Sequence, residues 1–188
     1  MIEVRIHGRG GQGNVVAAYL LATAAIAEGL HAQAFPAFGA ERRGAPVVAF
    51  VRLNDKKIRR RCQVATPDFL IIQDEALFHV PGITDGLKAG GSILLNTTHD
   101  SDAFTAVSEG NIVTLPATQL AHEHLGRPVP NTALLSAFLK LTDLLPQAAL
   151  VQALQQRFKD NILEKNIALI NPAAQMIPAN AWKEVADA

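Results

Sequence analysis

Polar and apolar positions alternate from Ile2 to His7, the period of a half-buried strand, and the alternation stops at Gly8-Arg9-Gly10-Gly11-Gln12-Gly13. An apolar run over residues 14–27 follows at once and predicts a helix. From Val15 to Ala27, Thr23 apart, that helix is apolar all round. Packing on one side only would leave Ala17, Leu20, Leu21 or Ala24 in water, so a partner chain is expected to cover the other side. A second strand is expected at residues 31–35 and a buried one at 46–53. Asn54-Asp55 then marks a turn, with residues 56–64 as the returning arm of a hairpin.

Short apolar runs bounded by breakers recur at 68–73, 92–95 and 111–115, the pattern of strands in a parallel sheet covered on both faces. Helical stretches alternate with them at 74–80 and 117–125. The last third changes character: residues 131–145, stopped by Pro146, and 147–159 are helical in period, and 162–176 is helical with an interruption at Pro172. The expected fold is therefore α/β and Rossmann-like, a mostly parallel sheet with an inserted β-hairpin and a helical C-terminal portion. It is expected as one domain over 1–188, with the α/β core at 1–130 and the helices at 131–188.

Composition narrows the chemistry. Lys+Arg and Asp+Glu balance at 17 each, so no overall field draws the chain to nucleic acid or an anionic membrane, and an anion site must be local. One cysteine, Cys62, excludes internal disulfides and cannot alone hold an iron–sulfur cluster or a structural zinc. It reads as a small buried hydrophobe in a strand. With no signal-like segment at Met1 and no apolar run of about 20 residues, a cytoplasmic protein is expected.

The strand, glycine loop and helix order turns G-x-G-x-x-G into a plausible phosphate cradle, because backbone N–H groups at a helix N-terminus favour an anion and Arg9 adds a full charge. The acidic residue that ends the second strand of a dinucleotide site is missing: residues 31–40 hold no carboxylate before Glu41. Ordinary NAD binding, another phosphate or pyrophosphate ligand, and a structural tight turn all stay open. Strand ends at Asp74 and at Asn96-Thr97 fall near the carboxyl edge of the sheet, where open α/β folds bind ligands. Gly39-Ala40-Glu41-Arg42-Arg43-Gly44 presents two arginines suited to a carboxylate or phosphate. The run Lys56-Lys57-Ile58-Arg59-Arg60-Arg61 reads as a charged edge hairpin protected from aggregation. His122 and His124 point apart on a helix and make no metal pair, and His7 is expected to be a hydrogen-bonded strand-end residue.

Together, the loop at 8–13 after the first strand and Gly39 to Gly44 before the third resemble the gamma subunit of the 2-oxoacid:acceptor oxidoreductases, the group containing pyruvate:ferredoxin oxidoreductase. The Pro116-Ala117-Thr118 segment and Asn131 sit where that family has similar segments. The resemblance implies a multi-subunit enzyme that oxidatively decarboxylates a 2-oxoacid to an acyl-coenzyme A. Thiamine diphosphate and iron–sulfur clusters would lie on partner subunits. Those partners would be thiamine-diphosphate-binding, 2-oxoacid-binding and ferredoxin-like subunits, with a flavin/NAD subunit in some members, and neither nucleic acid nor membrane. Thr84-Asp85-Gly86 lacks the flanking residues of the thiamine-diphosphate motif. The resemblance further implies coenzyme A as a ligand and a binding or assembly role, without catalysis, for Gly10, Gly11, Gln12, Gly13, Arg42 and Arg43; Gly8 and Arg9 of the same loop, Asn96 at the sheet edge and Asn131 are further candidate binding residues. A stand-alone nucleotide-binding enzyme and a nonenzymatic assembly module are the competing classes.

Overall fold

The computed structural model describes residues 1–37, 45–104 and 111–187. Six strands form one sheet in the order β2-β3-β1-β4-β5-β6: β1 (Ile2–Arg9), β2 (His31–Ala37), β3 (Pro46–Asn54), β4 (Phe69–Ile72), β5 (Ser92–Asn96) and β6 (Asn111–Leu115). β1, β4, β5 and β6 run parallel, whereas β3 is antiparallel to both β1 and β2. The β1–α1–β2 crossover, with α1 at Asn14–Ala27, therefore leaves a one-strand gap that β3 returns to fill. The inserted hairpin is β2–β3. Residues 56–64, expected as its returning arm, are irregular, because β3 already spends both edges on β1 and β2.

Alternation along β1 separates two faces. Val4 and Ile6 join an apolar cluster with α1, α4 (Asn131–Thr142), α5 (Gln147–Arg157) and α6 (Asp160–Gln175). α4 is buried along nearly its whole surface, with Phe138 edge-on to Phe69 of β4, and Trp182 stacks on the same Phe69. This arrangement overturns the expectation for α1. Ala17, Leu20, Leu21 and Ala24 are all buried within the chain, because the helical C-terminal portion folds back and α4 and α5 pack against α1. Its large exposed apolar side chains are instead Tyr19 at 50% and Ile26 at 59%. α6 also runs unbroken through Pro172, whose ring removes one backbone donor without ending the helix.

The opposite face carries a smaller cluster around Leu70, Ile72, Ile93 and Leu95, covered by the short α2 (Glu75–Phe78) and Phe104. Over β3 and β1 this face is polar. Glu3 and Arg52 are ladder partners joined by a 2.7 Å ion pair, with side chains 5% and 1% exposed. Arg5 donates to the carbonyls of Ile83 and Asp85, both at 2.8 Å. His7 is 4% exposed and neither ring nitrogen has a hydrogen-bond partner among the described residues, which corrects the expectation of a hydrogen-bonded role. Burial, reinforced by the Arg5 charge, pushes its imidazole pKa down to about 3. Cys62 is exposed, since its segment is a loop and not a strand. Among the described residues no helix is long and apolar enough to cross a membrane.

Candidate functional site

β1 ends at Arg9 and α1 starts at Asn14, so the four residues between them reverse the chain from sheet to helix. Gly11 at φ 99° and Gly13 at φ 79° occupy the left-handed region that favours glycine. The two differ in surroundings. A Cβ on Gly11 would meet nothing within 4 Å, whereas one on Gly13 would stand 2.7 Å from Nδ2 and 3.1 Å from Cγ of Asn131.

Side chains lace the loop to the neighbouring strand end. Gln12 accepts from the Arg9 backbone N–H at 2.7 Å and donates to Asp74 at 3.3 Å. Arg9 Nε pairs with the same Asp74 oxygen at 2.7 Å. Asp74, just past β4, also accepts from the Ala76 backbone N–H and so caps α2. Gly10 N–H reaches the Ala45 carbonyl at 3.3 Å, and the Asn14 amide donates to the Val47 carbonyl at 2.9 Å.

Asn131 arrives from 118 residues away. Its amide donates to the Gly13 carbonyl at 3.3 Å, and its Oδ1 accepts from the Thr132 backbone N–H at 2.9 Å, so one side chain ties the starts of α1 and α4 together. α1 has no side-chain cap, and its first-turn N–H groups have no intrahelical acceptor. Beside them opens a cleft of about 390 Å³ between the glycine loop, the end of α3 (Ala117–Leu125) and the first turns of α6. Gly11, Gly13 and Asn131 share this cleft with two cations, Arg127 and Lys165. Val16, Leu125, Val129, Phe158 and Ile162 supply its apolar wall. The arrangement suits an anion carried on an apolar body, because cations, a helix start and hydrocarbon line the same cleft.

The structure thus gathers Gly8 to Gly13 and Asn131 in one place. Asn96 lies elsewhere along the same sheet edge, its amide donating to the Gln73 carbonyl at 2.8 Å and to Thr118 at 2.7 Å while its oxygen accepts from Thr118 N–H. Those bonds tie β4, β5 and α3 together. Arg42 and Arg43 lie outside the described residues. Sequence reasoning missed Arg127 and Lys165. Arg127 sits in a Gly-Arg-Pro-Val-Pro loop that reads only as a connector, and Lys165 on a helix surface carries no local signal. Among the described residues no group of three His, Cys, Asp or Glu side chains is placed to hold a metal ion.

A family model for pyruvate ferredoxin/flavodoxin oxidoreductase matches residues 3–176, spanning the glycine loop, the inserted hairpin and the helices that close the cleft. The chain belongs to that family. Pyruvate synthase subunit PorC of Methanothermobacter marburgensis is 49% identical over 166 residues, 88% of this chain and 92% of that protein. The subunit gamma common to the pyruvate and ketoisovalerate oxidoreductases of Thermococcus kodakarensis is 44% identical, again over 88% of this chain and 91% of its own length. The crystal structure of pyruvate oxidoreductase subunit PORC from Thermotoga maritima superposes with a TM-score of 0.83 at 33% identity, covering 93% of this chain and 95% of that one. The chain is a gamma-type, accessory subunit of a 2-oxoacid oxidoreductase in the pyruvate ferredoxin/flavodoxin oxidoreductase family. A 2-oxoglutarate:ferredoxin oxidoreductase from Magnetococcus marinus shares the fold at 21% identity and a TM-score of 0.75, with this chain matching 31% of that longer one.

Proposed function

We propose that this subunit holds the phosphate-bearing part of coenzyme A for an assembly that oxidatively decarboxylates a 2-oxoacid to its acyl-coenzyme A, with thiamine diphosphate and iron–sulfur clusters on its partner subunits. The observation that carries this reading is the cleft, where Arg127, Lys165, the start of α1 without a side-chain cap and an apolar wall come together. Pyrophosphate oxygens match the two cations and the first-turn N–H groups of α1, and the pantetheine and adenine match Val16, Leu125, Phe158 and Ile162. In this reading the glycines act indirectly. Gly13 allows Asn131 to close against the loop, and that closure shapes one side of the cleft.

The name of the Thermococcus relative, a subunit common to pyruvate and ketoisovalerate oxidoreductases, supports placing the choice of 2-oxoacid on other subunits. In this reading the chain positions a reactant and contributes to assembly. The test compares two rates in the assembled enzyme. Arg127→Gln and Lys165→Gln are expected to raise KM for coenzyme A about 10-fold each, the loss of one charge-assisted contact, with kcat and the coenzyme A-independent decarboxylation half-reaction unchanged. Equal loss of both rates, or an unchanged KM, would refute the assignment.

A further inference from the structure

The cationic run at 56–61 loses its expected explanation once the fold is known. These residues form no strand, so they do not guard a hairpin edge. Five of the 17 Lys and Arg sit within these six positions, which leaves the rest of this neutral chain net acidic. All five side chains are exposed, and among the described residues Lys56, Lys57, Arg59 and Arg61 form no ion pair. Arg60 approaches Glu3 at 4.0 Å and stays 63% exposed.

The loop is nevertheless pinned at three points. Asn54 donates to the Lys56 carbonyl at 2.8 Å, Gln33 to the Ile58 carbonyl at 3.3 Å, and buried Arg52 to the Gln63 carbonyl at 3.2 Å. A backbone held in this way presents its guanidinium groups with part of the ordering cost already met. Next to it lies β2, the outermost strand, whose outer edge is unpaired among the described residues. Between the two runs an open groove of about 540 Å³, lined by Ala32, Gln33, Ala34, Phe35, Arg60 and Arg61.

We propose that this groove receives an extended, carboxylate-bearing segment of a neighbouring subunit, its backbone against the free edge of β2 and its acidic side chains on Arg60 and Arg61. The inference rests on the reading of the chain as one member of a larger oxidoreductase. Charge complementarity selects the partner: the patch is strongly cationic and multidentate, while a free sheet edge recognises extended polypeptide. Single-stranded nucleic acid fits less well. Phe35, the one aromatic ring lining the groove, already packs on Phe50 at 5.2 Å and under Arg52 at 5.6 Å, so the groove offers no series of stacking platforms for successive bases.

The experiment captures the remaining subunits on the tagged full chain after nuclease treatment and reads the apparent Kd between 50 and 500 mM NaCl. Wild type is expected to weaken about 10-fold or more across that range. Arg59→Gln/Arg60→Gln/Arg61→Gln is expected to bind at least 10-fold more weakly at low salt with a flattened salt dependence, and the corresponding triple lysine variant to recover most of the affinity. Thermal melting checks the fold, and Arg59→Gln/Arg61→Gln repeats the measurement with the Arg60–Glu3 contact intact. Affinity and salt slope within twofold of wild type for the glutamine variants would overturn the proposal, as would capture abolished by nuclease. A wild-type chain that captures no oxidoreductase subunit at any salt would overturn the assembly reading as well, so the two failures are distinguishable.

Discussion

The two left-handed glycines of the loop make an internal comparison, because Gly11→Ala and Gly13→Ala impose similar backbone strain in different surroundings. A left-handed residue with a Cβ costs about 1–2 kcal/mol. At Gly11 nothing else among the described residues is touched, so that is the whole expected loss. At Gly13 the new Cβ stands 2.7 Å from Asn131 Nδ2, and Asn131 must swing away. The move gives up its bonds to the Gly13 carbonyl and the Thr132 N–H, worth about 0.5–1.5 kcal/mol each. Gly13→Ala is therefore expected to cost about 2–5 kcal/mol. Urea unfolding of the full chain measures both, with an unchanged m-value as the condition for comparing midpoints. The cycle with Asn131→Ala isolates the Asn131 clash: on that background Gly13→Ala should cost only the backbone strain and the adjustment of Val129, whose Cγ1 lies 3.3 Å from the new Cβ, a coupling of about 1 kcal/mol or more between the two sites. Equal losses at Gly11 and Gly13, or additive losses with Asn131→Ala, would refute the argument that Asn131 closes the loop.

His7 predicts an acid-sensitive fold. Its folded pKa of about 3 lies below its ordinary 6.5, so the unfolded chain binds the extra proton and stability falls as pH drops from about 6.5 towards 3. The loss should reach about 2 kcal/mol by pH 5 and be absent from His7→Gln, read by urea unfolding at pH 7 and pH 5; parallel profiles would show that His7 is not the titrating group. Arg52→Met should cost about 3–5 kcal/mol because it strands the buried Glu3 carboxylate, and Glu3→Leu/Arg52→Met should recover most of that in the same assay. The isolated chain is expected to show no turnover of any 2-oxoacid, checked by coenzyme A-dependent acceptor reduction with and without the other subunits; activity of the chain alone would contradict its accessory role.

Local pattern was enough for much of this molecule. The bounds of α1 and α3 follow from an apolar run starting just after Gly13 and from a helical stretch set between Pro116 and Gly126, and the parallel strands β4, β5 and β6 show as short apolar runs between breakers. Such features depend on neighbours in sequence, where backbone preference and the hydrophobic period act. The glycine loop was legible for the same reason, as was the family resemblance, which needed only two motifs in order. Pairing partners were not legible. That β3 turns back to fill the gap between β1 and β2 depends on which edge is free, and the basic segment after Asn54 reads equally well as a strand or a loop until that edge is occupied. An all-round apolar helix declares that both sides are buried without saying by what; α4 and α5 of the same chain supply the cover for α1. The cleft is the extreme case. Gly13, Arg127, Asn131 and Lys165 meet through packing of four helices, and no short-range pattern encodes a contact between residues 118 apart, since only the closed tertiary fold offsets the entropy of bringing them together.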